Sequence, residues 1–455
     1  MKKYITIILA ALLFMGCDDF LDIHPTGKII AETGEEYRAL LTDVYSRFPE
    51  DRGLTILRGD EMAADYKSLE GLDYDSYFDV WNWTDYNRNE SSYYFNWRSY
   101  YHSCYIANYI IEHKNDITKA TQKEINQLVG ESYMMRAYVH FLLVNLYAPA
   151  YTHCEPETTR GIPLQMKADV NAVLKCSSVE QVYRQILLDV DSAALYLNVE
   201  RWDNGLNYRF NTTTANALRA RTALYMGDWE LALAEAKKVV AKYPDLEDLN
   251  NTRSVLPTNY NSVESIMALE QVVTAKLLNI IVPDSNLIKI HDDNDKRLGK
   301  YYTSKLNADF VRVWSFRSRT PNNERCTFRA GEFYLIAAES ANELDKKDEV
   351  LAYIKPLIQK RYTVEGANEY SSLLETLGQN ELRKEIAKER QRELAFHGLR
   401  WFDLRRTTQP ELVKVYPVSE TESQTFILEQ GDERYTLHFP SDAVAANPGL
   451  ENWKE

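Results

Sequence analysis

Apolar side chains recur at helical spacing in several long stretches of the chain. In residues 34–48, GEEYRALLTDVYSRF, they fall three or four apart, and residues 123–147 continue such a pattern until the proline of APAY. This recurrence places apolar residues on one face of an α-helix, and proline ends a helix. The pattern predicts a mainly α-helical protein, with a first helix near residues 34–48 and one long helix over residues 123–147.

Two stretches share an order of small residues around a turn. ALRARTALYMGDWELALAEAKKVVAKYP places Ala220 before a Gly-Asp turn, and EFYLIAAESANELDKKDEVLAYIKPLIQKRY places Ala338 and Asp345 at an offset of 118. Small residues where two helices touch, a turn and a later proline are typical of a tetratricopeptide-like helix pair. Such pairs cannot bury their apolar faces alone, so neighbouring pairs must stack. Further positions of the first repeat are Gly227, Asp228, Trp229, Ala232, Ala236 and Pro244.

Two segments interrupt the helical pattern. One is dense in aromatic residues and resembles a loop, and the other carries several turn sequences such as LPTNYNS and RTPNNER. The chain is therefore predicted to form one domain over residues 17–455, with a tail hairpin turning at Gly431–Asp432. Its helical scaffold is predicted at about residues 30–50, 95–250 and 329–406, and its irregular inserts at about residues 51–94 and 255–328.

The first residues, MKKYITIILAALLFMGC, have the layout of a secretory signal. Two lysines precede an apolar run that is short for a membrane span, and the run ends at Gly16-Cys17. The ending resembles a bacterial lipobox, which predicts a signal peptide at residues 1–16 and lipidation of Cys17; an ordinary signal peptide is the alternative. Asp18 and Asp19 resemble a surface-export signal of lipoproteins in glycan-feeding Gram-negative bacteria.

The charge of the chain argues against nucleic-acid binding. The formal net charge is −14, and 67 acidic residues outnumber 53 basic ones. Such a chain repels phosphate backbones unless it carries a basic stripe. The most basic stretch, residues 388–406, contains three acidic residues that offset half of its positive charge. We expect no nucleic-acid partner.

No enzyme motif is present in the sequence. It has no nucleophile elbow, phosphate loop or zinc-ligand spacing, so no catalytic residue and no metal ligand is assigned. His140 is interpreted as a core histidine. The acidic run HDDNDKR at residues 291–297 could favour Ca²⁺, but it lacks the glycine and distal glutamate of a known calcium loop and is interpreted as a solvated turn.

Aromatic residues beside amides and charges are the candidate ligand contacts. A sugar stacks its C–H face on a flat ring while its hydroxyls take hydrogen bonds. One group lies in the first insert and the other in the second, and the alternative is that the rings pin each insert to the scaffold. The candidates are Trp81, Asn82, Trp83 and Tyr86 in the first insert and Tyr301, Tyr302 and Trp314 in the second.

The stretch IAKERQRELAFHGLRWFDLRR resembles the signature of the SusD/RagB family of surface nutrient-binding lipoproteins. CDDFLDIHPTGKI after the signal and NERCTFRAGEFYLIAAESANEL resemble two further segments of that family. The departure is His397, where the family usually has glutamate. The charges of residues 388–406 are interpreted as a structural ion-pair lock around a helix end. In this lock Glu389, Arg390 and Glu393 pair with one another and with the arginines after Gly398, which are Arg400, Arg405 and Arg406.

The resemblance implies a fold, a location and partners. It implies a SusD-like fold of tetratricopeptide-like helix pairs with irregular inserts, on an outer-membrane lipoprotein that faces the cell exterior. It also implies oligosaccharide binding without catalysis, beside a SusC-like TonB-dependent transporter. The alternatives are a peptide or glycopeptide receptor of the same transport type, a surface glycoside hydrolase, and a structural scaffold for the transporter.

Overall fold

Helices form most of the chain, as the apolar spacing predicts. The computed structural model describes residues 31–64, 72–84, 92–306, 312–317, 323–419 and 421–450. The first half contains α1 Gly34–Ser46, α2 Leu54–Arg58, α3 Leu72–Trp81, α4 Trp97–Glu112, α5 Gln122–Tyr147, α6 Val179–Tyr196, α7 Thr212–Met226 and α8 Trp229–Lys242. The second half contains α9 Ala275–Ile280, α10 Ser285–Lys289, α11 Lys296–Tyr301, α12 Ala330–Glu343, α13 Lys347–Arg361, α14 Val364–Thr376, α15 Gln379–Glu393, α16 Arg400–Arg406 and α17 Ser441–Ala446.

The strands are short and pair two by two, always antiparallel. They are β1 Met62–Ala63, β2 Arg160–Pro163, β3 Cys176–Ser178, β4 Ser265–Met267, β5 Val282–Pro283, β6 Tyr302–Leu306, β7 Arg312–Phe316, β8 Phe328–Arg329, β9 Leu412–Pro417 and β10 Ser423–Leu428. The pairs are β1 with β5, β2 with β3, β4 with β8, β6 with β7, and β9 with β10. The pairing of β1 with β5 joins the first insert to the second.

Local sequence signals set where the long helices begin. Thr33 and Thr121 each precede a glutamate by three positions, and each hydroxyl accepts the backbone N–H of that glutamate at 3.3 Å. The carboxylates of Glu36 and Glu124 accept the threonine N–H groups in return, at 2.9 Å and 2.8 Å. These reciprocal bonds satisfy donors that a helix start leaves open, and they fix the starts of α1 and α5.

The two predicted helix pairs have the same turn. Gly227 between α7 and α8 and Asp345 between α12 and α13 both adopt positive φ, 76° and 57°. In each turn the next residue donates its N–H to a carbonyl five positions earlier, at 3.0 Å from Asp228 and 2.8 Å from Lys346. This bond ends a helix at a left-handed residue. The sequence offset of 118 therefore corresponds to a repeated backbone geometry.

The helices of the scaffold pack against one another, mostly between neighbours in the chain. Helix α5 packs against α4 and α6, α7 packs against α8, and α12 packs against α8, α13 and α15. The small residues named for the contacts, Ala220, Ala232, Ala236 and Ala338, are fully buried. Close approach of two helix backbones requires such small side chains. The prediction of a mainly α-helical fold is confirmed.

The interpretation of the first insert as loop throughout is wrong, because residues 72–81 form α3. Its aromatic residues pack on the hairpin of β9 and β10: Phe78 lies 4.9 Å from Tyr416 and 5.6 Å from Phe426, measured between ring centroids. Helical spacing of the apolar residues 77, 78, 80 and 81 fits this contact. The aromatic density therefore reflects packing against a partner that is distant in sequence.

The tail hairpin also turns at a different place from the predicted one. Strands β9 and β10 are joined across residues 418–422, and Gly431, at φ 71°, follows the hairpin. The predicted turn at Gly431–Asp432 is wrong for this reason. Asp432 instead caps a short 3₁₀ helix, Glu433–Tyr435, by accepting the N–H of Arg434 at 2.8 Å.

Candidate functional site

The first predicted aromatic group is buried. Trp81, at the end of α3, is 1% exposed, and Trp83 is fully buried with its Nε1–H donated to the carbonyl of Arg58 at 2.9 Å. Asn82 is buried and accepts hydrogen bonds from the N–H and the hydroxyl of Thr84, at 3.1 and 2.6 Å. Neither indole offers a face to a ligand in this structure, so the expectation that they stack on a sugar is wrong for this conformation. Tyr86 lies outside the described residues.

A buried lysine explains the position of these tryptophans. The ammonium group of Lys414, on β9, lies 4.1 Å from the ring centroid of Trp83 and 5.2 Å from that of Trp81. It also donates to the carbonyls of Leu57 and Trp81. An aromatic face attracts a cation, and more strongly when both are removed from water. The two indoles therefore fix the first insert to the tail hairpin, as the alternative interpretation of these rings holds.

The second predicted group is divided between core and surface. Tyr301 and Tyr302 are buried, and the ring of Tyr302 lies 5.8 Å from that of Phe316 and 6.4 Å from that of Phe396. Trp314 stands on β7 opposite Ser304 and is partly exposed. Of the predicted rings that the structure describes, Trp314 is the one that keeps accessible surface, and it remains a candidate contact.

Two cavities beside the second insert form a better candidate site. The first, of about 610 Å³, is called the amide cavity and includes Asn207, Tyr208, Tyr260, Asn323 and Arg325 in its lining. The second, of about 430 Å³, is called the tyrosine cavity and includes Glu50, Asp51, Tyr77, Tyr93, Tyr94 and Lys276. Cavities of this size accommodate small ligands.

The two cavities are neighbours. The amide cavity is lined by residues within 42–46 and 268–269. The tyrosine cavity is lined by the adjacent segments, residues within 50–54 and 271–277. Arg325 of the amide cavity also lies 3.8 Å from the carboxylate of Glu50 in the tyrosine cavity. Both side chains are more than a third exposed, so this ion pair is weak and can open. We call the two cavities together the insert groove.

Stacked tyrosines form one wall of the tyrosine cavity. The rings of Tyr77 and Tyr93 are nearly parallel, with centroids 4.3 Å apart, and Tyr94 is 44% exposed. Lys276 donates from Nζ to the hydroxyl of Tyr93 at 2.6 Å and so fixes the edge of this stack. An exposed ring beside ordered polar groups is suited to an amphipathic ligand such as a sugar.

The polar groups of the amide cavity are held in place by the backbone. The Nδ2 of Asn207 donates to the carbonyl of Tyr260 at 2.8 Å, and the N–H of Tyr260 donates to the carbonyl of Asn323 at 2.9 Å. Arg325 donates from Nη1 to the carbonyl of Leu269 at 3.0 Å. Side chains positioned in this way present their remaining donors and acceptors at fixed points, which is what recognition of hydroxyl groups requires.

Burial changes the acidity of Asp51 at the groove. Desolvation raises the pKa of this carboxyl to about 7, and the charge of Glu50 adds to the rise. The hydrogen bond from the N–H of Asn96 lowers the pKa but does not outweigh the desolvation. Near neutral pH the group is thus divided between a form that accepts hydrogen bonds and a protonated form that also donates one. The groove can therefore meet a hydroxyl group as donor or as acceptor.

The ion-pair lock predicted for residues 388–406 is present, with different partners. Glu393 accepts from Arg329 at 2.6 Å, from Arg361 at 2.8 and 2.9 Å and from Arg297 at 2.9 Å, and all these side chains are buried. Burial alone would raise the pKa of Glu393, but the charges of Arg361 and Arg329 outweigh it and hold the pKa well below its usual range. The group is a buried anion of the fold.

The arginines after Gly398 pair elsewhere. Arg406 and Arg390 share the carboxylate of Asp403, at 2.8 and 3.1 Å, and Arg400 pairs with Asp60 at 2.7 Å. Arg405 donates to backbone carbonyls near the end of α5, including that of Ala148. The predicted pairing of Glu389 and Glu393 with these arginines is wrong because α16 turns them toward other elements.

Two minor sequence interpretations can be compared with the structure. His140 is fully buried, and desolvation lowers its pKa to about 3, so it is a neutral core residue as predicted. In HDDNDKR, the carboxylate of Asp295 is buried and accepts from His291 at 2.7 Å and from Arg297 at 2.9 Å. The interpretation of this run as a solvated turn is therefore wrong for these three residues, whereas Asp292 and Asp293 are exposed. No group of three His, Cys, Asp or Glu side chains that could hold a metal ion is found among the described residues.

Comparison with protein families identifies the chain. A family model described as starch-binding associating with outer membrane matches residues 19–224, and a second, described as the SusD family, matches residues 279–451. The chain belongs to the SusD family. The second match includes residues 386–406, whose sequence resembles the SusD/RagB signature. The lock around Glu393 therefore lies within a segment that the family model matches.

Individual SusD-like proteins are similar to the chain over most of its length. SusD-like protein P2 of Formosa agariphila is 25% identical over 478 residues, covering 89% of this chain and 91% of the relative. A SusD superfamily protein of Bacteroides thetaiotaomicron has a TM-score of 0.73 at 19% identity, with 92% and 99% of the two chains covered. A laminarin-binding SusD-like protein has a TM-score of 0.61 at 17% identity, with 83% and 92% covered. These structures share the SusD fold with this chain.

Sequence reasoning did not find the residues of the insert groove. Tyr94 and Arg325 lie in the two predicted inserts, but Asn207 and Tyr208 come from a turn that was assigned to the scaffold. The available signal was the pair Tyr93-Tyr94 within ESSYYFNW, in which polar residues flank three consecutive aromatic residues. The sequence did not indicate that residues 42–54 and 268–277 meet to form one groove.

Proposed function

We propose that this SusD family member is a non-catalytic receptor that binds oligosaccharides in the insert groove. The observation that carries the proposal is the stack of Tyr77 and Tyr93 beside the exposed ring of Tyr94, with the ordered amide and guanidinium groups of the adjacent cavity. Rings supply stacking surface, and amides bind hydroxyl groups. The name of the laminarin-binding structural relative supports a glycan as the ligand class.

The receptor is proposed to act at the outer face of the outer membrane. The description of the matching family associates its members with that membrane, and none of the helices in the described ranges is long and apolar enough to cross a bilayer. Lipidation of Cys17 would supply the attachment, since several acyl chains on one residue anchor a protein stably. Cys17→Ala should move the protein from the membrane fraction to the soluble fraction, and unchanged membrane association would contradict the anchor.

Delivery of the ligand to a SusC-like TonB-dependent transporter completes the proposal. The support for this partner is the resemblance of residues 386–406 to the SusD/RagB signature, which implies such a transporter. Purification of the tagged protein from detergent-solubilised outer membranes should recover such a transporter, identified by mass spectrometry. Recovery of the receptor alone under conditions that preserve other outer-membrane complexes would argue against this partner.

The test of ligand class is an array of oligosaccharides and peptides probed with the purified protein. We expect binding to one or more glycans, with laminarin oligosaccharides included among the first probes. Binding to peptides alone would favour the peptide receptor, and release of reducing ends from a bound glycan would favour the hydrolase. The proposal includes no cofactor, so treatment with a chelator should leave the affinity unchanged.

A further inference from the structure

A third cavity, of about 490 Å³, lies within the helical scaffold. It is bounded by α7, α8, α12, α15 and α16 and shares no lining residue with the insert groove. Its apolar wall includes Leu224, Trp229, Ile386 and Ala387. Trp229 is partly exposed and Ala387 is exposed, so the cavity opens to solvent on the α8 and α15 side. We call it the scaffold cavity.

The charges that line the scaffold cavity are mainly positive. The chain has a net charge of −14, yet cationic side chains outnumber carboxylates in this lining. Asp60, outside the lining, pairs with Arg400 and offsets one of these cations. An excess of positive charge at an apolar cavity attracts an anion. The cationic residues are Arg383, Lys384, Arg390, Arg400 and Arg406, and the carboxylates are Glu339, Glu343 and Asp403.

Arg390 supplies a second and independent observation. Its side chain is 4% exposed and donates from Nη2 to both oxygens of Asp403, at 3.1 and 3.2 Å. Its Nη1 has no hydrogen-bond partner among the described residues. A buried guanidinium nitrogen without an acceptor costs free energy. Glu339 lies 3.5 Å from Nε of the same guanidinium, so Nη1 is the nitrogen to which an incoming carboxylate would add an acceptor.

We propose that the scaffold cavity binds a peptide segment that carries a carboxylate beside an apolar side chain. The apolar side chain would pack against Trp229 and Ile386, and the carboxylate would lie toward Lys384 and Arg390. This site is separate from the insert groove and does not depend on the function proposed there. A surface receptor with such a site can hold a partner protein while its glycan site remains open.

Hydrogen bonding within the lining favours a peptide over an acidic sugar. Arg383 pairs with Glu343 through two bonds of 2.6 and 2.8 Å, and Arg406 pairs with Glu339 through two of 2.6 and 2.9 Å. The guanidinium and carboxylate groups of these pairs hydrogen-bond to one another, which leaves them few donors and acceptors for a ligand. A sugar would have to satisfy several hydroxyl groups here, whereas an apolar side chain needs none.

The experiment measures binding of a defined peptide to the full protein. The probe is a fluorescein-labelled peptide of alternating glutamate and leucine, with a glutamine and leucine peptide and trigalacturonate as comparisons. We expect the glutamate peptide to bind, the glutamine peptide to bind at least about 10-fold more weakly, and trigalacturonate not to compete. Preferential binding of trigalacturonate, equal binding of the glutamine peptide or no binding of the glutamate peptide would each overturn the proposal.

Surface variants locate the binding without breaking the ion-pair network. Ala387→Trp fills the opening of the cavity and Lys384→Glu reverses one charge of its lining, and both positions are exposed. Each should weaken peptide binding about 10-fold, whereas the matched control Lys388→Glu, on the same helix but outside the lining, should change it less than about 2-fold. Thermal melting verifies that each variant is folded. Equal binding by Ala387→Trp and the control would overturn the site, and glycan binding should be unchanged in all three.

Discussion

The guanidinium of Arg361 donates two hydrogen bonds to the carboxylate of Glu393, from Nε at 2.9 Å and from Nη2 at 2.8 Å. The two residues end α13 and α15, and both side chains are fully buried. Arg329 and Arg297 reach the same carboxylate from the start of α12 and from α11. Glu393 is thus the point at which the scaffold and the second insert are joined.

Removal of the charge at Glu393 should destabilise the protein strongly. Glu393→Gln leaves three guanidinium groups around a neutral amide, and loss of one partner from a buried ion pair costs about 3–5 kcal/mol. Chemical denaturation measures the change in the free energy of unfolding. The control is Glu385→Gln on the same helix, whose partner Lys388 is half exposed, and it should cost less than about 1 kcal/mol. Equal effects of the two substitutions would contradict the lock.

The space around this network is as important as its charges. A Cβ added at Gly331 would lie 2.4 Å from Nη1 of Arg329 and 2.8 Å from Oε1 of Glu393. A methyl group at this position would displace the ion pair that these atoms form. This explains a glycine in the first turn of α12, where its conformational freedom is otherwise a cost.

Asp51→Asn should stabilise the protein increasingly as the pH rises. The pKa of Asp51 is raised to about 7 in the folded protein from an ordinary value of 3.8. The folded state therefore holds this proton where the unfolded state has lost it, and the stability that depends on it is present below pH 4 and lost as the pH rises toward 7. The gain of the variant over wild type should grow between pH 4 and 7 and then level. A difference independent of pH would contradict the assignment.

The two equivalent turns should respond oppositely to substitution. Gly227→Ala places a side chain at φ 76° and should cost about 1 kcal/mol, since the nearest atoms around the added carbon are at ordinary contact distances of 3.7 and 3.8 Å. Asp345→Gly removes a side chain at φ 57° and should stabilise by about 0.5 kcal/mol or slightly more. Thermal melting compares the two. Destabilisation by Asp345→Gly would show that its carboxylate has a further role.

Trp81→Ala should reduce stability and leave glycan affinity unchanged. The indole of Trp81 is 1% exposed and lies over the ammonium group of Lys414, so its loss leaves a cavity that costs about 3–5 kcal/mol. Unfolding experiments measure the first effect, and titration calorimetry below the melting temperature measures the second. Lost affinity in a variant with wild-type melting would restore Trp81 as a ligand contact.

Local patterns predicted the scaffold well. The helix near residues 34–48 and the long helix over residues 123–147 follow from the spacing of apolar residues, and the turn at Asp345 follows from its offset to Gly227. These features depend on residues close in sequence, so the sequence contains the information that sets them. The same holds for the mainly helical fold and for the structural interpretation of the motif around Glu393.

Contacts between distant segments could not be predicted. Trp83 is buried because Lys414 lies beneath its ring, and the candidate site forms because Glu50, at the end of the first scaffold segment, approaches Arg325 of the second insert. The residues near Trp83 in the sequence do not distinguish a ring that packs on an ammonium group from a ring that binds a sugar. The choice between packing and binding therefore had to come from the tertiary structure.

The central claim is that the insert groove binds the glycan, and titration calorimetry of two tyrosine variants tests it most directly. Tyr94→Ala removes the exposed ring of the tyrosine cavity, and Tyr353→Ala removes a partly exposed tyrosine of the scaffold helix α13 as a control. For an oligosaccharide identified on the array, we predict that Tyr94→Ala weakens binding about 10-fold or more, with melting unchanged, and that Tyr353→Ala binds as wild type does. Wild-type affinity in Tyr94→Ala would contradict the claim.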